Sequence, residues 1–165
     1  MVTIEGYSDS NWGDPNSTDK RSTSGYAFEL ASGMISWASR KQRTTATSTA
    51  EAEYIAECAA TKEAVYLRQF LLELGKSQEG SATLIHRDST SAIAMAEGLV
   101  QPKTRHIEFQ YHYTREKVAD GTVNFKYIRT DDMVADGMTK PLAWPKFEKF
   151  RRQLGMRRLQ DVLRG

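Results

Sequence analysis

Residues 48–75, STAEAEYIAECAATKEAVYLRQFLLELG, decide the architecture of this chain. Ser48-Thr49-Ala50-Glu51 has the form of a capping box, in which a serine hydroxyl and a glutamate three residues later satisfy the free N–H groups at a helix start. Behind it Ala52, Ile55, Ala56, Ala59, Tyr66, Leu67, Phe70, Leu71 and Leu74 recur at helical spacing. The spacing predicts one long helix over residues 49–74, ended by Gly75.

Upstream of that helix the periodicity is that of strands. Residues 2–9 read as a first strand and residues 11–22, with Gly13, Asp14, Pro15 and Asn16, as a loop. Tyr26, Phe28 and Leu30 alternate with smaller or polar residues in a second strand at 24–30. Ser32-Gly33 then turns the chain into a third at 34–39, which makes the opening third an antiparallel meander. Downstream, residues 82–87 read as a strand, 89–96 as a short helix, 98–104 as a loop and 105–119 as a helix. Asp120-Gly121 leads into a fifth strand at 122–128, with Val123, Phe125 and Tyr127 on one face. A short helix after Thr130 carries Asp136, Pro141 interrupts it, and a basic C-terminal helix is expected over about 144–163.

With 165 residues, 39% of them hydrophobic, the chain is expected to form one α/β domain, residues 1–165. A strand begins almost at Met1, so the sequence reads as a piece excised from a longer polyprotein. The single cysteine, Cys58, excludes a disulfide framework and suits a reducing intracellular compartment. No apolar run has membrane-spanning length, so no membrane partner is expected. Net charge is only +2 but unevenly spread. Residues 137–165 hold eight lysines and arginines against Glu148 and Asp161, a balance of +6, which leaves −4 for the rest. A basic end beside an acidic body suits an enzyme that grips phosphates and also holds cations, although a solvated helix face has the same composition.

Four acids stand where carboxylates are otherwise wasted. Asp9 and Asp88 lie at strand ends, Glu53 lies in the long helix and Asp136 in the short one. Brought together, they would hold two divalent cations about 4 Å apart, which activate a water and stabilise the leaving oxygen of a phosphodiester. All-oxygen donors suit Mg²⁺ or Mn²⁺ rather than zinc. The competing reading makes Asp9 and Asp88 turn-forming aspartates, Glu51 a capping residue and Asp131 and Asp132 helix caps.

In order along the chain, YSDSNW, KRSTSGYAF, ISWASRKQ, STAEAEYIA, DSTSAIAMA, TRHIEFQYHYTRE and ADGMTKPLAWPKFEKFR resemble the ribonuclease H domain of Ty1/copia-type LTR-retrotransposon polyproteins, over about residues 4–154. The resemblance implies a ribonuclease H-like fold: a mixed five-stranded sheet of order 3-2-1-4-5 flanked by helices, with strands one, four and five parallel. It implies a metal-dependent endonuclease that hydrolyses the RNA strand of RNA/DNA hybrids during reverse transcription, with two Mg²⁺ or Mn²⁺ ions as cofactors. The alternative is a catalytically weak or inactive nucleic-acid-binding tether of a reverse transcriptase. A third possibility, an integrase-type nuclease, fits less well, because such sites generally use three acids. The expected partners are the hybrid and the polymerase domain of the same polyprotein, in the cytoplasmic virus-like particle of a retrotransposon.

By the same resemblance, Asp9 would bridge both metals, Asp136 would help hold the ion that activates water, and Glu53 and Asp88 would hold the ion at the leaving 3′ oxygen. The match to AEYIA selects Glu53 over Glu51, and the match to ADGMTKPL selects Asp136 over Asp131 and Asp132. Candidate substrate contacts are Ser22, Thr23, Ser24, Ser89 and Thr90 for the 2′-hydroxyl, and Arg40, Lys41, Arg43 and Lys140 for phosphates. The chain departs from the family where Ser89 and Thr90 replace the usual Asn and Gln, where Asn11 stands in place of a frequent Asp, and where no histidine lies between Arg129 and Asp136.

Other patterns lead nowhere. HRD at residues 86–88 lacks the asparagine and glycine-rich loop of a kinase. His86, His106, His112 and Cys58 have no zinc spacing. Trp37, Phe109, Tyr111 and Tyr113 are expected to be core residues.

Overall fold

The alternating segments form a meander: β1 (Ile4–Asn11), β2 (Thr23–Leu30) and β3 (Gly33–Lys41) pair antiparallel in sequence order. The computed structural model describes residues 3–13, 18–89 and 105–162. After α1 (Thr49–Glu73) the chain adds β4 (Thr83–Arg87) parallel to β1, and after α2 (Arg105–Ala119) it adds β5 (Val123–Tyr127) parallel to β4. The sheet order is β3-β2-β1-β4-β5, the order that the resemblance implies. A 3₁₀ turn (Thr130–Asp132), α3 (Asp136–Thr139), α4 (Trp144–Gln153) and α5 (Leu159–Val162) follow. The expected helix at 89–96 and loop at 98–104 lie outside the described residues, Ser89 apart.

α1 starts and ends as its sequence dictates. The Ser48 hydroxyl accepts from Glu51 N at 3.1 Å, and beyond the last turn Lys76 N reaches Leu71 O at 2.8 Å and Gly75 N reaches Leu72 O at 2.9 Å. The helix lies against the sheet through Ala52, Ala56, Ala60 and Ala64, four small residues one turn apart, each no more than 1% exposed. Small side chains let backbone approach backbone, and Leu67 and Leu71 complete a core with Ile4, Phe28, Ile85 and Val123. The buried stripe therefore runs through the alanines. Tyr66, Phe70 and Leu74 stand outside it, exposed, with the Tyr66 and Phe70 rings stacked at 6.3 Å.

Four further expectations are corrected. The hairpin between β2 and β3 turns on Ala31 and Ser32, both in the left-handed region, with Gly33 already paired to Leu30. The C-terminal helix is not continuous: at Gly155, φ +74°, Met156 N bonds back to Arg151 O and separates α4 from α5. Trp37 and Phe109 are exposed rather than core residues. Asp131 and Asp132 do not cap α3; they lie in the 3₁₀ turn and pair with Lys146 and Lys149 of α4. Cys58 is buried and unpaired, and His86 stacks on Tyr7 and faces Glu5 at 3.3 Å. Among the described residues no helix is long and apolar enough to cross a membrane.

Candidate active site

Parallel pairing brings two of the predicted acids together. Tyr7 of β1 is level with His86 of β4, so two residues further along each strand Asp9 is level with Asp88. Asp9 is only 3% exposed, while Asp88 follows the last residue of β4 and is half-buried. Glu53 arrives from α1, in the second turn beyond the cap, and is 6% exposed. Its competitor Glu51 is occupied at the helix start, where it accepts from Thr47 N at 2.7 Å. One turn beyond Glu53, Glu57 and Arg87 form a buried ion pair at 2.9 Å that fastens α1 to the end of β4.

Asp136 comes from the opposite face of the sheet. Residues 25 and 28 of β2 point to opposite faces, Phe28 toward α1 and Gly25 toward α3. A Cβ at Gly25 would stand 2.7 Å from both Met138 Cβ and Thr139 Cγ2, so α3 rests on bare backbone there. This close approach buries Asp136, 5% exposed, and lets the Thr139 hydroxyl donate to Asp9 Oδ2. Lys140, one residue on, pairs its ammonium with Asp136 Oδ1. The Phe150 ring lies over Gly137 and braces α3 from outside. Thr139 and Gly25 were not among the expected site residues, yet both lie within the quoted motifs, Thr139 in ADGMTKPL and Gly25 in KRSTSGYAF.

The carboxylates feel one another. Burial, above all, pushes the Asp9 carboxyl up to about 6, against the Thr139 hydrogen bond and the Lys140 charge, with Asp88 and Asp136 adding to the rise. Burial and then the charge of Asp9 push Glu53 up to about 8, the Ser10 hydroxyl working the other way and Asp88 and Glu57 adding to it. Both carboxyls hold their protons more tightly folded than unfolded. Their contribution to stability is thus full below the ordinary values of 3.8 and 4.5 and is lost as pH rises through about 6 and about 8. We expect thermal melts without divalent ions to show Tm falling between pH 4 and pH 8, and Mn²⁺ at pH 8 to recover much of the loss. A Tm indifferent to Mn²⁺ at pH 8 would contradict this.

Among the described residues no three His, Cys, Asp or Glu side chains stand as a closed ligand set. The donors nevertheless fit hard divalent ions: all are carboxylate oxygens, three of the four are buried, and Glu53 has no cationic partner among the described residues. Carboxylates crowded without a counter-ion repel, and here a lysine and a threonine hydroxyl take up part of the charge.

The candidate substrate residues divide. Pairing across the meander sets Asp9, Gly25 and Ser39 in one row, Ser10, Ser24 and Arg40 in the next, and Asn11, Thr23 and Lys41 in the third. Arg40, Lys41 and Arg43 are exposed beyond the acids at that sheet end, with Lys41 paired to Asp19 at 3.0 Å. Thr23 and Ser89 are partly exposed. Ser22 and Ser24 are buried, and their hydroxyls accept from Gly13 N at 3.4 Å and from Gln42 Nε2 at 2.9 Å. Thr90 lies outside the described residues.

No family model matches the chain. It is 37% identical over 155 residues, 93% of its length, to the retrovirus-related Pol polyprotein from transposon TNT 1-94 of Nicotiana tabacum, and 33% identical over 157 residues, 94% of its length, to that from transposon RE2 of Arabidopsis thaliana. It spans 11% of the length of each of these curated relatives. Among solved structures it resembles LC11-RNase H1 in complex with RNA/DNA hybrid, with a TM-score of 0.57 at 15% identity over 83% of this chain and 94% of that one. The chain therefore belongs with the Ty1/copia-type retrotransposon Pol polyproteins, as a segment that has the ribonuclease H fold.

Proposed function

We propose that the chain is a divalent-metal-dependent ribonuclease H that cuts the RNA strand of RNA/DNA hybrids during retrotransposon reverse transcription, leaving a 3′-hydroxyl and a 5′-phosphate. The reading is carried by one observation: strand register sets Asp9 level with Asp88, Thr139 ties Asp9 to the helix of Asp136, and the charges of Asp9 and Asp88 act on Glu53 of α1, with three of the four acids buried. Pol polyprotein relatives and a fold shared with a hybrid-bound ribonuclease H support the substrate. The polymerase part of the same polyprotein is the natural source of that hybrid.

Asp9, Glu53, Asp88 and Asp136 are the residues that would hold the cations. Bound there, Mg²⁺ or Mn²⁺ supplies a water nucleophile at neutral pH and charge stabilisation at the leaving oxygen. The protein's own part is orientation. Thr139 fixes the Asp9 carboxylate, the Glu57–Arg87 pair holds α1 and β4 in register, and Gly25 seats α3. Thr23 and Ser89 are the short polar side chains offered to the 2′-hydroxyl, and Arg40 and Arg43 the phosphate grip. Ser22 and Ser24 act through the fold, holding the strand that presents Thr23.

The test is a cleavage assay on an end-labelled RNA/DNA hybrid, with RNA/RNA and DNA/DNA duplexes as controls, in Mg²⁺ and in Mn²⁺. Cutting confined to the RNA strand of the hybrid is expected. Equal cutting of all three duplexes would overturn the substrate assignment, and hybrid binding with no cutting in either metal would mark a tether rather than an enzyme.

A further inference from the structure

Lys140 stands where a cation is needed. It is the residue after α3, and its ammonium pairs with the buried Asp136 Oδ1 across one helical turn. Its neighbour Thr139 occupies Asp9, so two consecutive residues at the end of α3 attend to two of the acids. Burial alone would lower the Lys140 pKa, but the Asp136 hydrogen bond and the charges of Asp9, Asp136 and Asp88 outweigh it and leave it raised. One ammonium thus pairs with one carboxylate and feels the charge of two more.

A divalent ion seeks the same oxygen atoms, and an ammonium on Asp136 both blocks an oxygen and repels the incoming charge. The two chemistries favour exchange over coexistence. Lysine is a compact point charge on a flexible four-carbon stem, and this side chain is 41% exposed, so it has solvent to move into. Arg87, by contrast, is 12% exposed and fixed between Glu57 and the Phe125 ring.

We propose that Lys140 is the resident cation of the metal-free site: it neutralises Asp136 until a divalent ion takes that carboxylate, and loading the site drives the lysine out. This rests on the reading of the four acids as metal ligands. It adds that the chain carries its own competitor for that site, so the metal affinity of the wild type is lower than its carboxylates would give, in exchange for a metal-free state that stays folded.

Mn²⁺ titration calorimetry on the wild type, Lys140→Gln and Lys140→Arg tests it. Glutamine is expected to tighten Mn²⁺ binding about tenfold, which is about 1.4 kcal/mol, while lowering the Tm without metal; arginine, which keeps the charge, should stay near the wild type. If Lys140 only holds α3 in place, glutamine will weaken Mn²⁺ binding or leave it unchanged, and the proposal fails. Acylation of the wild type by an N-hydroxysuccinimide ester, read at Lys140 by mass spectrometry, should speed up severalfold on saturation with Mn²⁺. An unchanged rate would show that the lysine stays put and would equally sink it. A wild type with no saturable Mn²⁺ binding would instead defeat the underlying metal-site reading, whereas saturable binding with no gain in Lys140→Gln defeats the competitor alone.

Discussion

Asp9→Asn is expected to abolish hydrolysis of the hybrid and, at the same time, to raise the stability of the metal-free protein. The side chain is buried between Thr139 and the other acids, and asparagine keeps its shape and can still accept from the Thr139 hydroxyl. What disappears is the charge that two cations would share. Losing several kcal/mol of transition-state stabilisation slows the reaction about a thousandfold or more. The stability effect has the opposite sign. Raising the carboxyl from 3.8 to about 6 means that its ionised form carries a penalty of up to about 3 kcal/mol at neutral pH, which the uncharged amide escapes. For a domain of this size each kcal/mol moves Tm by about 2–4 °C, so a gain of several degrees at pH 8 is expected. Below pH 4 the wild-type carboxyl is protonated too, and the gain should vanish. A variant that melts earlier than the wild type at pH 8 without metal would show that Asp9 is a structural partner of Thr139 and no more.

Gly25→Val should be the most damaging change at a residue that does no chemistry. The new Cβ would overlap Met138 and Thr139, and the branched methyls would press further into α3. Forcing bulk into a packed contact costs about 1–3 kcal/mol, and a β-branched residue against backbone belongs at the upper end. The helix would lift from the sheet and carry Asp136 and Thr139 away from Asp9. A displacement of about 1 Å at a reacting site costs about a hundredfold in rate, so cleavage should fall by that factor or more. Thermal melts and the hybrid assay together decide it: normal cleavage in a folded Gly25→Val protein would mean that the seat of α3 does not control the site.

Much of this was legible in the sequence because the signals are local. The capping box, alternation in the meander and glycine after α1 are nearest-neighbour chemistry, and α2 ends where its periodicity predicts. The order of the five strands followed from the family motifs, which record pairings that periodicity cannot. What periodicity misjudged was which face of α1 is buried. A hydrophobicity pattern favours large residues such as Tyr66 and Phe70, whereas close helix–sheet packing selects the alanine stripe. The C-terminal helix was read through Gly155 because its flanks are both basic and helix-forming.

At the site, the positions of Asp9 and Asp88 follow from strand register, and that of Glu53 from its turn of α1. Asp136 was identified by its motif, but its seat was not, since the need for Gly25 is visible only once α3 lies on β2. Ser22 and Ser24 illustrate the reverse. Their residue type suits a 2′-hydroxyl, but the fold turns both hydroxyls inward.

The central claim, that four acids from four parts of the chain hold divalent cations at one sheet end, is tested most directly by Mn²⁺ titration calorimetry at pH 7.5 on the wild type and Asp9→Asn. Saturable binding in the wild type, lost or severely weakened in the variant, is the predicted result. No saturable binding in the wild type, or equal binding in both proteins, would contradict it.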